Sequence, residues 1–354
     1  MNLPCSNNLD ISKLAAVFNN TSATYKFYWL LAIVESAELG KTTIAKQELF
    51  ARMVTNAWYT VHYFRVSFGK QDLIQDTARQ IMAWENLARE ISKDKLLDIL
   101  MTTENKKTIN SLWHFNKNVP HWFLSPWIKR HNREIDSLFR KRIYLESHSS
   151  LNNCPYSLEE QAITLNQDWK DYITVNAGIL KGFIYWNLAS FLQVRNPNIP
   201  DIPGKLVKPP FRGSLTQQRK YYWDIVLREL GTLDCIFTST RIGVGNYALD
   251  HFVPYAFVSH DLIWNLVPID PIFNSIKSDR LPTIELHFDK FFAIQQQAIE
   301  VMNAINPNNK FFQDFIGVDP TAETVTSINY YKYRELMQPL LTIAGQNGFQ
   351  ALTQ

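Results

Sequence analysis

Between residues 22 and 142 apolar side chains recur three and four positions apart, as in "KQELFARMVTNAWYTVHYF" (46–64) and "QDTARQIMAWENLAREI" (75–91). That spacing lays an apolar stripe along one face of a helix, so this half is predicted to be a helical domain. "FYWLLAIV" (27–34) is apolar without interruption until Glu35. It is far too short to cross a bilayer and reads as a helix buried on every side. "NVPHWFLSPWIKR" (118–130) breaks the pattern at Pro120 and Pro126, because proline removes a donor and disfavours helix in the residue before it. A second helical block is expected over 158–192. "RNPNIPDIPGKLVKPPFRG" (195–213) is too rich in proline for a regular element and reads as a linker or surface strap. "SLTQQRKYYWDIVLREL" (214–230) resumes a helix with Ser214 as its expected N-cap. Two β-rich runs around "GVGN" then suggest a hairpin turning on glycine. Helices return in "ELHFDKFFAIQQQAIEVMNAI" (285–305) and "INYYKYRELMQPLLTIAG" (328–345).

At 354 residues, and with roughly 150 residues per domain as a prior, more than one domain is expected. The pattern divides into a helical domain (1–145), a helical segment with its proline-rich linker (146–213) and a C-terminal domain (214–354). Hydrophobic content of 46%, with 22 Phe, 15 Tyr and 10 Trp, excludes a disordered chain. A net charge of +3 is too small to announce a nucleic-acid binder by itself, so charge placement must carry that argument. Cys5, Cys154 and Cys235 are far apart and form no C-x-x-C pair, which supports neither a disulfide framework nor a thiolate zinc site. A reducing, cytoplasmic setting is expected, with no secretory signal and no membrane span.

The candidate chemistry is concentrated in "LDHFVPYAFVSHDLIWNLVPIDPIFNSIKSDRLP" (249–282). A strand would deliver Asp250 and His251 side by side. Strand side chains alternate faces, so a bend near Pro254 is needed for both to serve one site. Asn265 opens the apolar segment "NLVPI". "DPIFNSIKSD" reads as a helix of one to two turns, on which Asn274 and Lys277, three apart, share a face. Hairpin, loop and short helix would converge on one pocket.

Through "LDHFVP", "WNLVPID" and "FNSIKSDRLP" this stretch resembles the HNH endonucleases. The Asn at the third motif position is similar to the HNH domain of RNA-guided CRISPR nucleases. The resemblance covers about 234–282 and implies a ββα-metal core embedded in a mainly α-helical protein. It implies that His251 is the general base, that Asp250 and Asn274 hold a metal, and that Asn265 braces the motif through backbone hydrogen bonds, with a catalytic contribution left open. The implied cofactor is Mg²⁺, for which Mn²⁺ can substitute, and no structural zinc is expected because only Cys235 stands where many relatives carry two C-x-x-C pairs. The residues suit that chemistry. A neutral imidazole can deprotonate water near pH 7, and Mg²⁺ prefers hard oxygen ligands. Lys277 could hold the scissile phosphate as a point charge.

Other polar residues here have plainer readings: His260 and Asp261 as a solvated loop pair, Asp270 and Asp279 as helix caps or ion-pair partners, His287 as incidental. Basic residues gather at Lys129, Arg130, Arg133, Arg140, Lys141 and Arg142, and again at Lys205, Lys208, Arg212, Arg219, Lys220 and Arg228. From the second group Lys205, Lys208, Arg212, Arg219 and Lys220, with Arg241, form the candidate nucleic-acid-binding set; a solvated helix face is the alternative. The expectation is therefore a Mg²⁺-dependent endonuclease acting on DNA in preference to RNA. Bacterial restriction or phage defence would suit it, with the N-terminal helical domain as a sensor or dock for a protein partner. The competing reading is a nucleic-acid-binding scaffold that keeps the HNH shape without turnover.

Overall fold

The computed structural model describes residues 3–207, 214–319 and 328–353. Lys208 and Arg212 of the expected nucleic-acid-binding set lie outside the described residues. The rest divides into two compact units, one holding residues up to 197 together with 202–207, the other 198–201 and the described residues from 214 onward.

The first unit is built around α1 (Tyr25–Glu38), whose residues from Phe27 to Val34 are all buried. A helix with no polar face needs partners all round. It packs against α2 (Lys46–His62), and α6 (Gln167–Val175) and α7 (Ala177–Arg195) also lie on it. Residues 146–197 thus belong to this helical body. α3 (Leu73–Trp84) starts at Asp72, whose Oδ1 accepts from Ile74 N–H (3.0 Å) while Oδ2 accepts from Thr24 N–H (2.6 Å). One buried carboxylate thereby caps α3 and pins the entry to α1. Two shorter helices, α4 (Val119–Phe123) and α5 (Asp136–Glu146), follow. Pro120 sits in the first turn of α4, where its missing N–H costs nothing.

The expected helical block from 158 begins instead with strands. β1 (Thr43–Ala45), β2 (Tyr156–Leu158) and β3 (Ala162–Leu165) form an antiparallel sheet in the order β1-β3-β2. Tyr156 explains the placement: its buried hydroxyl accepts from Trp29 Nε1 (3.0 Å) and donates to Pro120 O (2.7 Å). The expected linker likewise contains a helical turn, Ile202–Val207.

The second unit contains α8 (Asp224–Leu230), β4 (Leu233–Asp234), β5 (Arg241–Ile242), β6 (Ala248–His251), β7 (Leu266–Ile269), α9 (Pro271–Lys277), α10 (Ile284–Ile305) and α11 (Tyr330–Gln346). Ser214 does not cap the helix that follows it, which begins at Thr216 without a side-chain cap. The hairpin expected around "GVGN" does not form. β5 pairs with β4, and β6 pairs with β7 in the register Asp250↔Val267 and His251↔Leu266. β6–β7–α9 is the ββα core, and α10 seats it. Phe252 stacks on Phe291 (4.3 Å), and the buried Gln295 donates to Leu266 O (2.7 Å). α11 adds the Tyr333 hydroxyl, which donates to Trp264 O.

In the first unit the His62 ring lies tilted against Trp58 (4.2 Å) with its Nε2 buried and unpartnered; burial lowers its pKa to about 4. A histidine depressed in the folded state charges more readily when unfolded. Its contribution is therefore complete above about pH 6.5 and is lost as pH falls toward 4. Carboxylates lowered by partners, such as Glu134, lose theirs only below about pH 4.5. His62→Phe keeps the ring and removes the proton site, so its melting temperature should fall less than that of the wild type between pH 6.5 and 4.5. Parallel calorimetric profiles for the two proteins would contradict this.

Candidate active site

The loop between β6 and β7 is closed at its base by Asn265. Its Nδ2 donates to Val253 O and its Oδ1 accepts from Val253 N–H, both at 2.8 Å, and Phe252 N–H donates to Asn265 O (2.8 Å). Asn265 is fully buried. Only an amide can return both a donor and an acceptor to one peptide, so the side chain clips the turn at Pro254 and holds the end of β6 in place.

At the other end of the core, Asp270 caps α9 by accepting from Ile272 N–H (2.8 Å), with Pro271 at the first helical position. Its own N–H points to the buried Cys235 Sγ (3.4 Å). The last residue of α9, Lys277, has an ammonium with no solvent exposure, donating to Asp250 Oδ2 (2.7 Å) and to His251 O (2.8 Å). The expectation that Lys277 offers a point charge to a phosphate gives way to a bracing contact, because both named partners lie inside the core. The ion pair ties α9 to β6 at the two residues that matter. A buried carboxylate keeps its charge only with such a partner.

His251 is buried, 1% exposed, with its ring edge-on to Tyr255 (5.5 Å). Its Nε2 lies 3.0 Å from His260 O and 2.9 Å from Asp261 Oδ1. The His260 carbonyl can only accept, so Nε2 carries a proton. Asp261, expected to be part of a solvated loop pair, instead folds back onto this ring with its side chain 31% exposed. The loop is held in that position at two points. Asp261 O accepts from Gln218 Nε2 (3.1 Å), and Asp314 Oδ2 accepts from Ile263 N–H (2.8 Å). Nothing local in "SHDLIW" signals this contact, which depends on the fold closing the loop.

Asn274 lines a cleft of about 370 Å³ together with Ser214, Thr216, Arg219 and the β6 residues Ala248 and Leu249. Arg219 lies 4.2 Å over the Tyr247 ring and donates to Tyr247 O (2.9 Å). The exposed Lys220 stands beside Tyr221 (5.2 Å). Arg241 is 80% exposed and 3.9 Å from Asp234. Lys205, by contrast, is buried in the first unit near the Phe64 ring (5.9 Å). Burial removes it from any solvent-facing phosphate-binding group.

Among the described residues no group of three or more His, Cys, Asp and Glu side chains is placed to hold a metal ion. The donors available are a carboxylate, Asp250, and a carboxamide, Asn274. Both are hard oxygen ligands, and a site with few protein ligands and several waters is how Mg²⁺ is commonly bound. The donor set therefore fits Mg²⁺ or Mn²⁺ and is a poor one for softer metals.

Compared with known families, residues 235–283 match the model described as HNH endonuclease, a domain class with nuclease activity on nucleic acid. No curated protein and no solved structure matches the chain. No helix among the described residues is long and apolar enough to cross a membrane.

Lys277→Ala leaves Asp250 buried without its counter-charge and should lower the stability of the second unit by about 3–5 kcal/mol. Asn265→Ala should cost about 1–3 kcal/mol for each Val253 backbone group left unpaired. Denaturant titration reads the first and hydrogen exchange at the Val253 amide the second. A fully stable Lys277→Ala, or a Val253 amide as protected as in the wild type, would contradict the respective role.

Proposed function

We propose that the chain, whose residues 235–283 form an HNH endonuclease domain, is a metal-dependent endonuclease that hydrolyses phosphodiester bonds of DNA. The observation that carries this reading is the state of His251. The His260 carbonyl accepts from Nε2–H and the Asp261 carboxylate lies 2.9 Å away, so in the neutral ring Nδ1 is the nitrogen that would act as the general base. Nδ1 takes a proton from the attacking water. The charge that develops on the ring is stabilised at Nε2 by the Asp261 carboxylate and the His260 carbonyl. Asp261 is thus proposed as a positioning residue that acts through its charge beside Nε2. Asp250 and Asn274 would hold the divalent cation, which when bound neutralises charge on the scissile phosphate. Lys277 holds Asp250 in place through their ion pair, and Asn265 fixes the turn behind His251. Arg219 and Lys220, with Arg241 and the undescribed Lys208 and Arg212, are proposed to contact the nucleic-acid backbone.

The nuclease domain is taken to span 214–354, with 1–145 as a sensor or dock for a protein partner and a place in antiviral defence. This last step rests on fold-level analogy.

Supercoiled plasmid, incubated with the protein in Mg²⁺ or Mn²⁺, tests the reading. His251→Ala should cut about 10²-fold more slowly or worse while binding DNA as the wild type does, judged on protein of unchanged melting temperature. Asp261→Asn should lower kcat with little change in KM, and Asp261→Glu should recover part of the loss. A folded His251→Ala that cuts at the wild-type rate would remove the base. A wild-type kcat for Asp261→Asn would reduce Asp261 to a loop contact.

A further inference from the structure

The cleft that Asn274 shares with Ser214, Thr216 and Arg219 has no carboxylate in its lining, and neither Asp250 nor His251 lines it. A group seated there would adjoin the proposed metal position through Asn274 without being the phosphate under attack.

Arg219 is held in this cleft by one residue. It opens the π-helical turn Arg219–Trp223, which joins the short helix Thr216–Gln218 to α8 and buries Tyr222 and Trp223. Its guanidinium lies over the Tyr247 ring (4.2 Å), and Nη2 donates to Tyr247 O (2.9 Å). Tyr247 is itself fixed, being buried with its hydroxyl donating to Asp224 Oδ1 (2.8 Å) on α8. Ring and carbonyl together set the plane of the guanidinium, which a lysine in its place could not reproduce.

Among the described residues no carboxylate forms an ion pair with Arg219, and none of its nitrogens is both buried and unpartnered. The N–H groups that Tyr247 does not use are therefore open to solvent. Beside them Thr216 Oγ1 donates to Ser214 Oγ (2.8 Å), which leaves the Ser214 hydroxyl proton for another acceptor. We propose that the cleft seats the phosphodiester next to the scissile one, its oxygens on Arg219 and Ser214, and that Tyr247 is the positioning residue that aims Arg219. A strand held at Asp250 and Asn274 carries its next phosphate within a nucleotide's length of Asn274, and here a cation meets it. The placement rests on the nuclease reading; the contact of Arg219 with a strand, and its dependence on Tyr247, are measured without turnover.

Fluorescence anisotropy of a short labelled DNA duplex with the full chain in EDTA, over a series of salt concentrations, tests the contact. Arg219→Ala should weaken binding about tenfold and lower the slope of log Kd against log salt by about one. Arg219→Lys keeps the charge and the slope but should still bind about threefold more weakly than the wild type. Tyr247→Leu should cost about threefold and add nothing to Arg219→Ala in the double variant, whereas Tyr247→Phe, which keeps the ring, should bind as the wild type does. Melting temperatures establish that each variant is folded, and if Tyr247→Leu is not, Arg219→Lys decides. Wild-type affinity in Arg219→Ala would overturn the contact. Wild-type affinity in Tyr247→Leu or Arg219→Lys, or losses that add in the double variant, would overturn the positioning role. The placement is read in Mg²⁺: a neutral methylphosphonate at a linkage beside the mapped cut should raise KM about tenfold for the wild type and no further in Arg219→Ala. Equal losses in both would overturn it. A chain that cuts nothing yet loses affinity in these variants would sink the nuclease reading and the placement together, and leave the Arg219 contact standing.

Discussion

One buried ammonium holds the second unit's site together. Lys277 reaches from the end of α9 to the carboxylate of Asp250 and the carbonyl of His251, and with 0% exposure it has no water to share its charge with. Burying that charge is favourable only because both acceptors are close and well aimed. The same contact sets the position of α9, and with it Asn274, relative to the strand that carries Asp250 and His251. Asn265 does for the loop what Lys277 does for the helix. The chemistry proposed for His251 and Asp250 needs both constraints, because a misplacement of about 1 Å can cost a hydrolytic site roughly 10²-fold in rate.

The site is also layered in a way that separates tasks. In the proposed reading Asp250 and Asn274 serve as oxygen donors and His251 as the base, while Lys277 and Asn265 point inward to the protein. Tyr333 and Gln295, from α11 and α10, secure the backbone on either side of Asn265 through Trp264 O and Leu266 O. The long C-terminal helices therefore serve as the scaffold of a core too small to be stable alone.

Much of this was legible in the chain. The uninterrupted apolar run 27–34 is indeed a helix buried all round, and the spacings of Asp250, His251, Asn265, Asn274 and Lys277 bring them to one ββα core. What was not legible has physical causes. β4 and β5 are each two residues long, too short to show a period, so "GVGN" passed for the turn of a hairpin that β6 in fact forms with β7. Lys277 reads as a surface charge because sequence spacing does not say which way a helix face is turned. Asp261 sits in a loop with no periodicity, and its contact with His251 exists only once Gln218 and Asp314 have fastened that loop from distant parts of the chain. Lys205 lies in a proline-rich stretch that suggests exposure, yet a helical turn folds it against Phe64.

The central claim is that Asp250 and Asn274 form one divalent-cation site beside His251. Anomalous diffraction from crystals soaked in Mn²⁺ tests it without relying on turnover. The account predicts a single strong peak in the second unit, about 2 Å from a carboxylate oxygen of Asp250 and from Asn274 Oδ1, and its disappearance in Asn274→Ala. A well-ordered site with no peak at these two oxygens, or a peak that Asn274→Ala leaves in place, would contradict it.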